Sequence, residues 1–111
     1  MVFSKFGHAG VDPDLPLAEQ EKTIDRNGNL NILWKIYRPG DGSRGHGDRH
    51  VVHGHHQFEH GPIIVAGRTN LDTFAWYTGR LVIGVFDDDV PGGPIALLEV
   101  RGEGKSKGRA A

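Results

Sequence analysis

Turn-forming residues interrupt this chain throughout its length. It contains 17 glycines and 6 prolines in 111 residues. Glycine adopts positive φ and proline lacks a backbone donor, so both end helices and separate short strands. The segments between them are rich in β-branched and aromatic residues, which favour strands. The pattern predicts six or seven short strands in one small all-β domain over residues 1–111, either a β-barrel or a β-sandwich.

The clearest predicted strand follows Asn27-Gly28, a dipeptide typical of a type I′ hairpin turn. Apolar and polar residues alternate over residues 30–36, which predicts a strand with one apolar face. One or two helical turns are expected within residues 15–22, with Asp14 as the cap. Further strands are expected over residues 50–58, 63–66, 71–78, 81–86 and 95–101.

Both ends of the chain are predicted to be irregular. Residues 1–17 contain Asp12-Pro13-Asp14-Leu15-Pro16, which forbids a regular helix or a central strand. We expect these residues to form an extended arm that lies on a neighbouring subunit; packing on the same domain and a mobile terminus are the alternatives. Residues 102–111 form a small basic segment, which we expect to be a flexible, solvated tail.

Charge and composition exclude several classes of protein. The formal net charge is −1, so no overall field favours a nucleic acid or a membrane surface as partner. The chain has no cysteine, which excludes disulfide scaffolds and thiolate metal sites. No apolar run is long enough for a signal peptide or a membrane span, so we expect a cytoplasmic or otherwise soluble protein.

A histidine-rich stretch is the strongest candidate for a functional site. Six of the seven histidines lie between residues 46 and 60. On a strand, His53 and His55 would share a face because they are two residues apart, whereas His50 and His56 would face elsewhere. Glu59 lies close to the Gly61-Pro62 turn, so its carboxylate can approach the same point. Two histidines and a carboxylate suit Fe(II), and zinc accepts the same ligands with a water molecule.

These residues resemble the first motif of the cupin family. That motif reads glycine, five residues, His-x-His, three or four residues, glutamate, six residues, glycine. The corresponding positions here are Gly47, His53-Gly54-His55, Glu59 and, one residue late, Gly67. The opening of the second cupin motif is similar to Gly84 and Pro91-Gly92-Gly93, but Ala96 stands where the family has a histidine.

The resemblance implies a double-stranded β-helix barrel whose interior is lined by His53, His55 and Glu59. It implies either a three-ligand site for a divalent metal (Fe, Mn, Ni or Zn) or a metal-free binding pocket. The first hypothesis for function is therefore a small metal-binding, cupin-like protein that acts on or senses a small polar molecule.

A structural interpretation of the same sequence remains open. The histidines can form a solvated loop, a set of core histidines satisfied by hydrogen bonds, or a subunit interface. The N-terminal arm, the numerous glycine-containing loops and the lack of a complete catalytic set favour the second hypothesis. In it the chain is a non-enzymatic β protein that forms homo-oligomers, such as a component of a shell or a virion.

Overall fold

The computed structural model describes residues 4–35, 37 and 44–105. The end of the strand predicted at Ile36, the first three residues of the arm, most of the glycine-rich loop at 38–43 and the tail after residue 105 lie outside the described residues. The described chain is a small β-rich domain with little helix, as predicted. Its elements are β1 Ser4–Phe6, α1 Leu17–Gln20, α2 Asn31–Trp34, β2 His50–His53, β3 Ile63–Ile64, β4 Arg68–Asn70, α3 Ala75–Thr78, β5 Arg80–Val85 and β6 Ala96–Arg101.

The strands form two separate sheets. The first has four strands in the order β1-β2-β4-β3, in which β1, β2 and β4 are parallel and β3 is antiparallel to β4. The second is an antiparallel hairpin of β5 and β6. Neither sheet closes into a barrel within the part of the chain that the structure describes. The cupin-like barrel therefore stays a prediction.

The core lies around the central strand β2. All four of its residues are buried, because β1 and β4 pair with its two edges and other segments cover both faces. The Tyr37 hydroxyl donates to the Val11 carbonyl at 3.1 Å and accepts from the Val11 amide at 3.2 Å. This double hydrogen bond ties the segment after β1 to the core. The buried apolar residues of the described chain are Ala9, Val11, Tyr37, Val51, Val52 and Val82.

The N-terminal segment packs on its own domain, which corrects the prediction of an extended arm. Strand β1 pairs with β2 in parallel, and the Gly7 amide continues this pairing by donating to the Val52 carbonyl at 2.9 Å. Ala9 and Val11 are almost completely buried. The segment therefore completes one edge of the sheet, and Ala9 and Val11 are buried within the same chain.

A tight turn forms at Asn27-Gly28, but it is not the predicted type I′ turn, because Gly28 has positive φ and Asn27 does not. The strand predicted after it is wrong. Gly28 has φ 81°, and the Asp25 amide donates to the Asn29 carbonyl at 2.8 Å. Pairing then stops after one bridge between Ile24 and Leu30, and α2 begins. No described strand pairs with residues 31–35. The Trp34 and Lys35 amides donate to the carbonyls of Leu30 and Asn31 within the helical turn, and the Ile32 carbonyl accepts from the Ala9 amide at 2.9 Å. The alternation of apolar residues here did not reflect a pleated strand.

The predicted helix within residues 15–22 forms as α1. It begins one position after Pro16 and has no side-chain cap, so Asp14 does not serve as its cap. Instead, the Asp14 amide donates to the Asp12 carboxylate at 2.9 Å.

Residues 71–78 do not form the predicted strand. Side-chain hydrogen bonds favour a turn here, because Asp72 accepts from the Phe74 amide at 3.0 Å and Thr78 donates to the Phe74 carbonyl at 3.1 Å. Phe74 has φ 61°, and the single helical turn α3 follows it. The helix ends at Gly79, whose φ of 74° is the left-handed conformation that favours glycine.

The hairpin of β5 and β6 agrees closely with the two strands predicted at residues 81–86 and 95–101. The chain after β6 returns to the end of α3, where the Gly102 amide donates to the Gly79 carbonyl at 2.7 Å. Gly104 is buried at the same place. The start of the predicted flexible tail is therefore packed, since only glycines allow the two backbones to approach so closely.

The other two predicted strands are shorter than expected. The strand at residues 50–58 ends at His53, and the run at residues 63–66 forms only the two-residue β3. Ile64 is 46% exposed, so this apolar run is not a buried strand. It lies at the edge of the sheet, where one side has no neighbour among the described strands.

Candidate functional site

His53 lies at the end of β2 with both ring nitrogens engaged. Its Nε2 is 3.2 Å from the Arg68 Nη1, and its Nδ1 is 3.1 Å from the Gly54 carbonyl oxygen. A guanidinium only donates, so Nε2 accepts and Nδ1 carries the proton that is donated to Gly54. Neither nitrogen is therefore available to a metal ion in this arrangement.

The surroundings of His53 hold its ring in the neutral form. The ring lies 4.7 Å from that of Tyr37, and the Arg68 guanidinium lies 4.2 Å from the Tyr37 ring centre. Burial lowers the pKa of His53 to about 4, and the charge of Arg68 acts in the same direction, against the opposing effect of the Gly54 hydrogen bond. Both effects disfavour a second positive charge on the ring.

His55 does not share a strand face with His53. Strand β2 ends at His53, and His55 takes the left-handed conformation with φ 67°. Its ring instead packs against that of His8, with ring centres 5.0 Å apart, and against Trp34 at 5.5 Å. The prediction from strand parity was wrong here, because the turn after β2 redirects the side chain.

Glu59 lies in an exposed turn. Its Oε1 is 3.4 Å from the Nε2 of His60, and its carbonyl accepts from the Arg80 Nη1 at 2.7 Å. Among the described residues, no group of three or more histidine, aspartate or glutamate side chains is arranged to hold a metal ion. His53, His55 and Glu59 are therefore not brought together, and a metal at these three residues stays a prediction.

Two further histidines are satisfied by hydrogen bonds. The His50 Nε2 lies 2.7 Å from the Thr69 hydroxyl, and burial lowers the pKa of His50. The His46 Nε2 donates to the Leu15 carbonyl at 2.6 Å. These two rings fit the interpretation of structural histidines, because each links two segments of the chain.

His8 is the candidate site residue that the sequence did not indicate. It lines an open cleft of about 680 Å³ together with residues of the four-stranded sheet and of the hairpin, among them Val52, Asp72 and Leu81. It also lines a second cavity of about 470 Å³, whose other described walls are Leu33, Trp34 and His55. His8 is 47 residues from His55, so no local spacing links the two. Only the pairing of β1 with β2 brings them together.

Comparison of the chain with family models, with curated proteins and with solved structures finds no match in any of the three. In the part of the chain that the structure describes, each helix has four residues, and none has the length or apolar character needed to cross a membrane.

Proposed function

We propose that this chain is a non-enzymatic assembly subunit, a β domain that completes its apolar core by associating with further copies of itself. The observation that carries the proposal is an exposed apolar face on the β5–β6 hairpin. An oligomeric shell or virion-type component is the kind of protein that this function describes.

The outer face of the hairpin consists entirely of apolar side chains. The register pairs Leu81 with Val100, Ile83 with Leu98, and Val85 with Ala96, and directly opposite residues of an antiparallel pair point to the same side. All six residues are exposed. Apart from Ala96, their exposed fractions range from 36% at Val85 to 56% at Leu98. Contiguous apolar patches above a few hundred Å² are rare on monomers and mark interaction sites.

The hairpin also lacks the support that a sheet of this size needs. A two-stranded hairpin is marginally stable alone and needs a third strand or a packed face. On the inner side, Val82 is the one buried residue of β5, while every residue of β6 is exposed. No described strand pairs with the outer edge of either β5 or β6. A partner on the outer face would supply the missing packing.

The surface of the whole chain leads to the same conclusion. Its accessible area is 7258 Å², whereas a compact monomer of 12.1 kDa is expected to expose about 6,000 Å². Among the described residues, 16 large apolar side chains are exposed and only 6 apolar residues are buried. Much of the apolar surface that could stabilise the chain is therefore left for association.

A second copy is the partner that the outer face fits best. The outer face carries no charge. The same apolar face of a second copy can therefore pack against it in a two-fold symmetric dimer. The nearby charges lie on the inner side, where Glu99 pairs with Arg80 at 2.8 Å and with Arg101 at 2.6 Å. These charges lie on the side of the hairpin away from the outer face, so they do not oppose face-to-face packing.

A pair of substitutions on adjacent residues of β6 tests this proposal. Leu98 belongs to the outer face, whereas its neighbour Leu97 points to the inner side and is similarly exposed, at 42% against 56%. We expect Leu98→Asp to shift the protein from oligomer to monomer, because it would bury a charge at the interface. Leu97→Asp is the matched control and should remain oligomeric. Mass in solution by light scattering is the measurement.

The assembly function is contradicted by a wild-type protein that is monomeric at every concentration, or by a Leu98→Asp variant that remains assembled. Circular dichroism of both variants separates loss of assembly from loss of folding. Removal of residues 1–17 is unsuitable as a test, because it would delete β1 and the buried Val11.

The metal-binding, cupin-like function stays a prediction of the sequence. It is supported by the spacing of Gly47, His53, His55 and Glu59, but not by their positions relative to one another.

A further inference from the structure

Two histidine rings from distant parts of the chain meet beside Trp34. We propose that His8 and His55 form a two-imidazole site for a divalent transition-metal ion such as Cu²⁺, Ni²⁺ or Zn²⁺. This site is independent of the assembly function, and it retains only His55 from the ligand set that the sequence predicted.

The separation of the two rings suits a shared metal ion. An imidazole nitrogen binds zinc at about 2.0–2.1 Å, which places the ring centre about 3.2 Å from the metal. Two such rings that subtend 90–110° at one ion have centres about 4.5–5.2 Å apart. The observed separation of the His8 and His55 ring centres is 5.0 Å, with 57° between the ring planes.

The backbone holds the two residues in this relationship. The Gly54 amide donates to the His8 carbonyl at 2.8 Å, directly beside His55. His55 itself has φ 67°, a left-handed conformation in which histidine is enriched several-fold among the non-glycine residues that adopt it. Non-glycine residues held in this conformation cluster at active sites and ligand clamps.

The two rings differ chemically from the satisfied histidines. Within the part of the chain that the structure describes, neither ring of the pair donates or accepts a hydrogen bond, whereas His46, His50 and His53 all do. His8 is exposed and His55 is half-buried, so an ion can reach them. Imidazole nitrogens suit zinc, copper and nickel, and water would complete the coordination.

Fluorescence of Trp34 provides the test. Its ring centre lies 5.5 Å from that of His55, so bound Cu²⁺ is expected to quench its emission. The chain has two tryptophans, and the other, Trp76, is 60% exposed. The titration therefore uses the full-length, untagged chain with Trp76→Phe, so that Trp34 alone reports. Titration calorimetry with Ni²⁺ gives the stoichiometry, for which we expect one ion per chain.

His8→Ala and His55→Ala should each weaken binding by tenfold or more, since loss of even a group that only orients a ligand costs about 10–100-fold in metal affinity. His60→Ala is the matched control, because His60 is an exposed histidine outside the pair. It should leave the affinity unchanged. Equal loss in all three variants, or no loss with His8→Ala, would overturn the site, as would the absence of Trp34 quenching by Cu²⁺.

Discussion

At the scale of single residues, histidines of one sequence cluster serve different purposes. His50 and His53 are core residues whose ring nitrogens bond to other groups, and His46 links a loop to the segment before α1. His55, only two residues after His53, leaves the sheet through a left-handed turn and meets His8. Residue type alone therefore did not decide the role of each ring; the hydrogen-bond partners that the fold supplies decided it.

The buried ring of His53 makes stability depend on pH. Burial lowers its folded-state pKa from the ordinary value of 6.5 to about 4, so the unfolded state binds a proton in this interval and the folded state does not. The contribution of His53 to the free energy of unfolding is fully present above about pH 6.5. It falls as the pH drops toward 4, and below that value it no longer changes. We expect a loss of about 2–3 kcal/mol between pH 7 and pH 4.5 from this residue.

Urea unfolding of wild type and His53→Gln at these two pH values measures the effect. The variant lacks the titrating ring, so its stability should depend less on pH. His60→Gln, which changes an exposed histidine whose charge does not act on His53, is the control and should keep the wild-type dependence. An equal pH dependence in wild type and His53→Gln would disprove the assignment.

At the scale of secondary-structure elements, glycine turns separate neighbouring segments of the chain. Gly28 and Gly79 both adopt positive φ, at 81° and 74°. A β-carbon at Gly28 would meet no atom within 4 Å, whereas one at Gly79 would collide with the Gly102 carbonyl oxygen and the Gly104 amide. Gly28 is therefore needed only for its positive φ. Gly79 is needed both for its positive φ and for the space that lets the chain after β6 pack on α3.

These two glycines give a matched pair of substitutions. Gly28→Ala should cost about 1 kcal/mol, the strain of a left-handed non-glycine residue. Gly79→Ala should cost about 2–4 kcal/mol, because overpacking against the backbone adds to the same strain. Urea unfolding of both variants measures the loss in the free energy of unfolding. Equal losses would show that the close backbone approach at Gly79 adds nothing to the cost of the substitution.

At the scale of the whole molecule, the chain has a larger accessible surface than a compact monomer of its mass is expected to have. The radius of gyration is 15.1 Å, against about 13 Å expected for a compact domain of this length. The small buried core and the apolar outer face of the hairpin agree with this value. In the proposed assembly, association would therefore contribute to the stability of the folded chain.

Thermal stability should consequently depend on protein concentration. Association stabilises the folded state by mass action, so the Tm of an assembling chain rises with concentration. We expect the Tm of the wild-type protein to increase over a hundredfold range of concentration, measured by circular dichroism or scanning calorimetry. The Tm of Leu98→Asp should stay constant. A wild-type Tm that does not change would contradict coupling between folding and assembly.

The sequence by itself determined the local features of this protein. It predicted a small β-rich domain, the turn at Asn27-Gly28 and both strands of the β5–β6 hairpin. These are set by residues near one another in the chain: glycine permits positive φ, and β-branched residues favour strands.

Only the tertiary structure decided what these features combine to form. The parallel pairing of β1 with β2 places His8 beside His55, although 47 residues separate them. The segment with alternating apolar residues after Gly28 forms helix α2, because no described strand pairs with it. Strand pairing and burial depend on contacts between distant residues, which hydrophobic periodicity does not specify. For the same reason, the strand pattern predicted the hairpin, but only the packed chain left its apolar outer face uncovered.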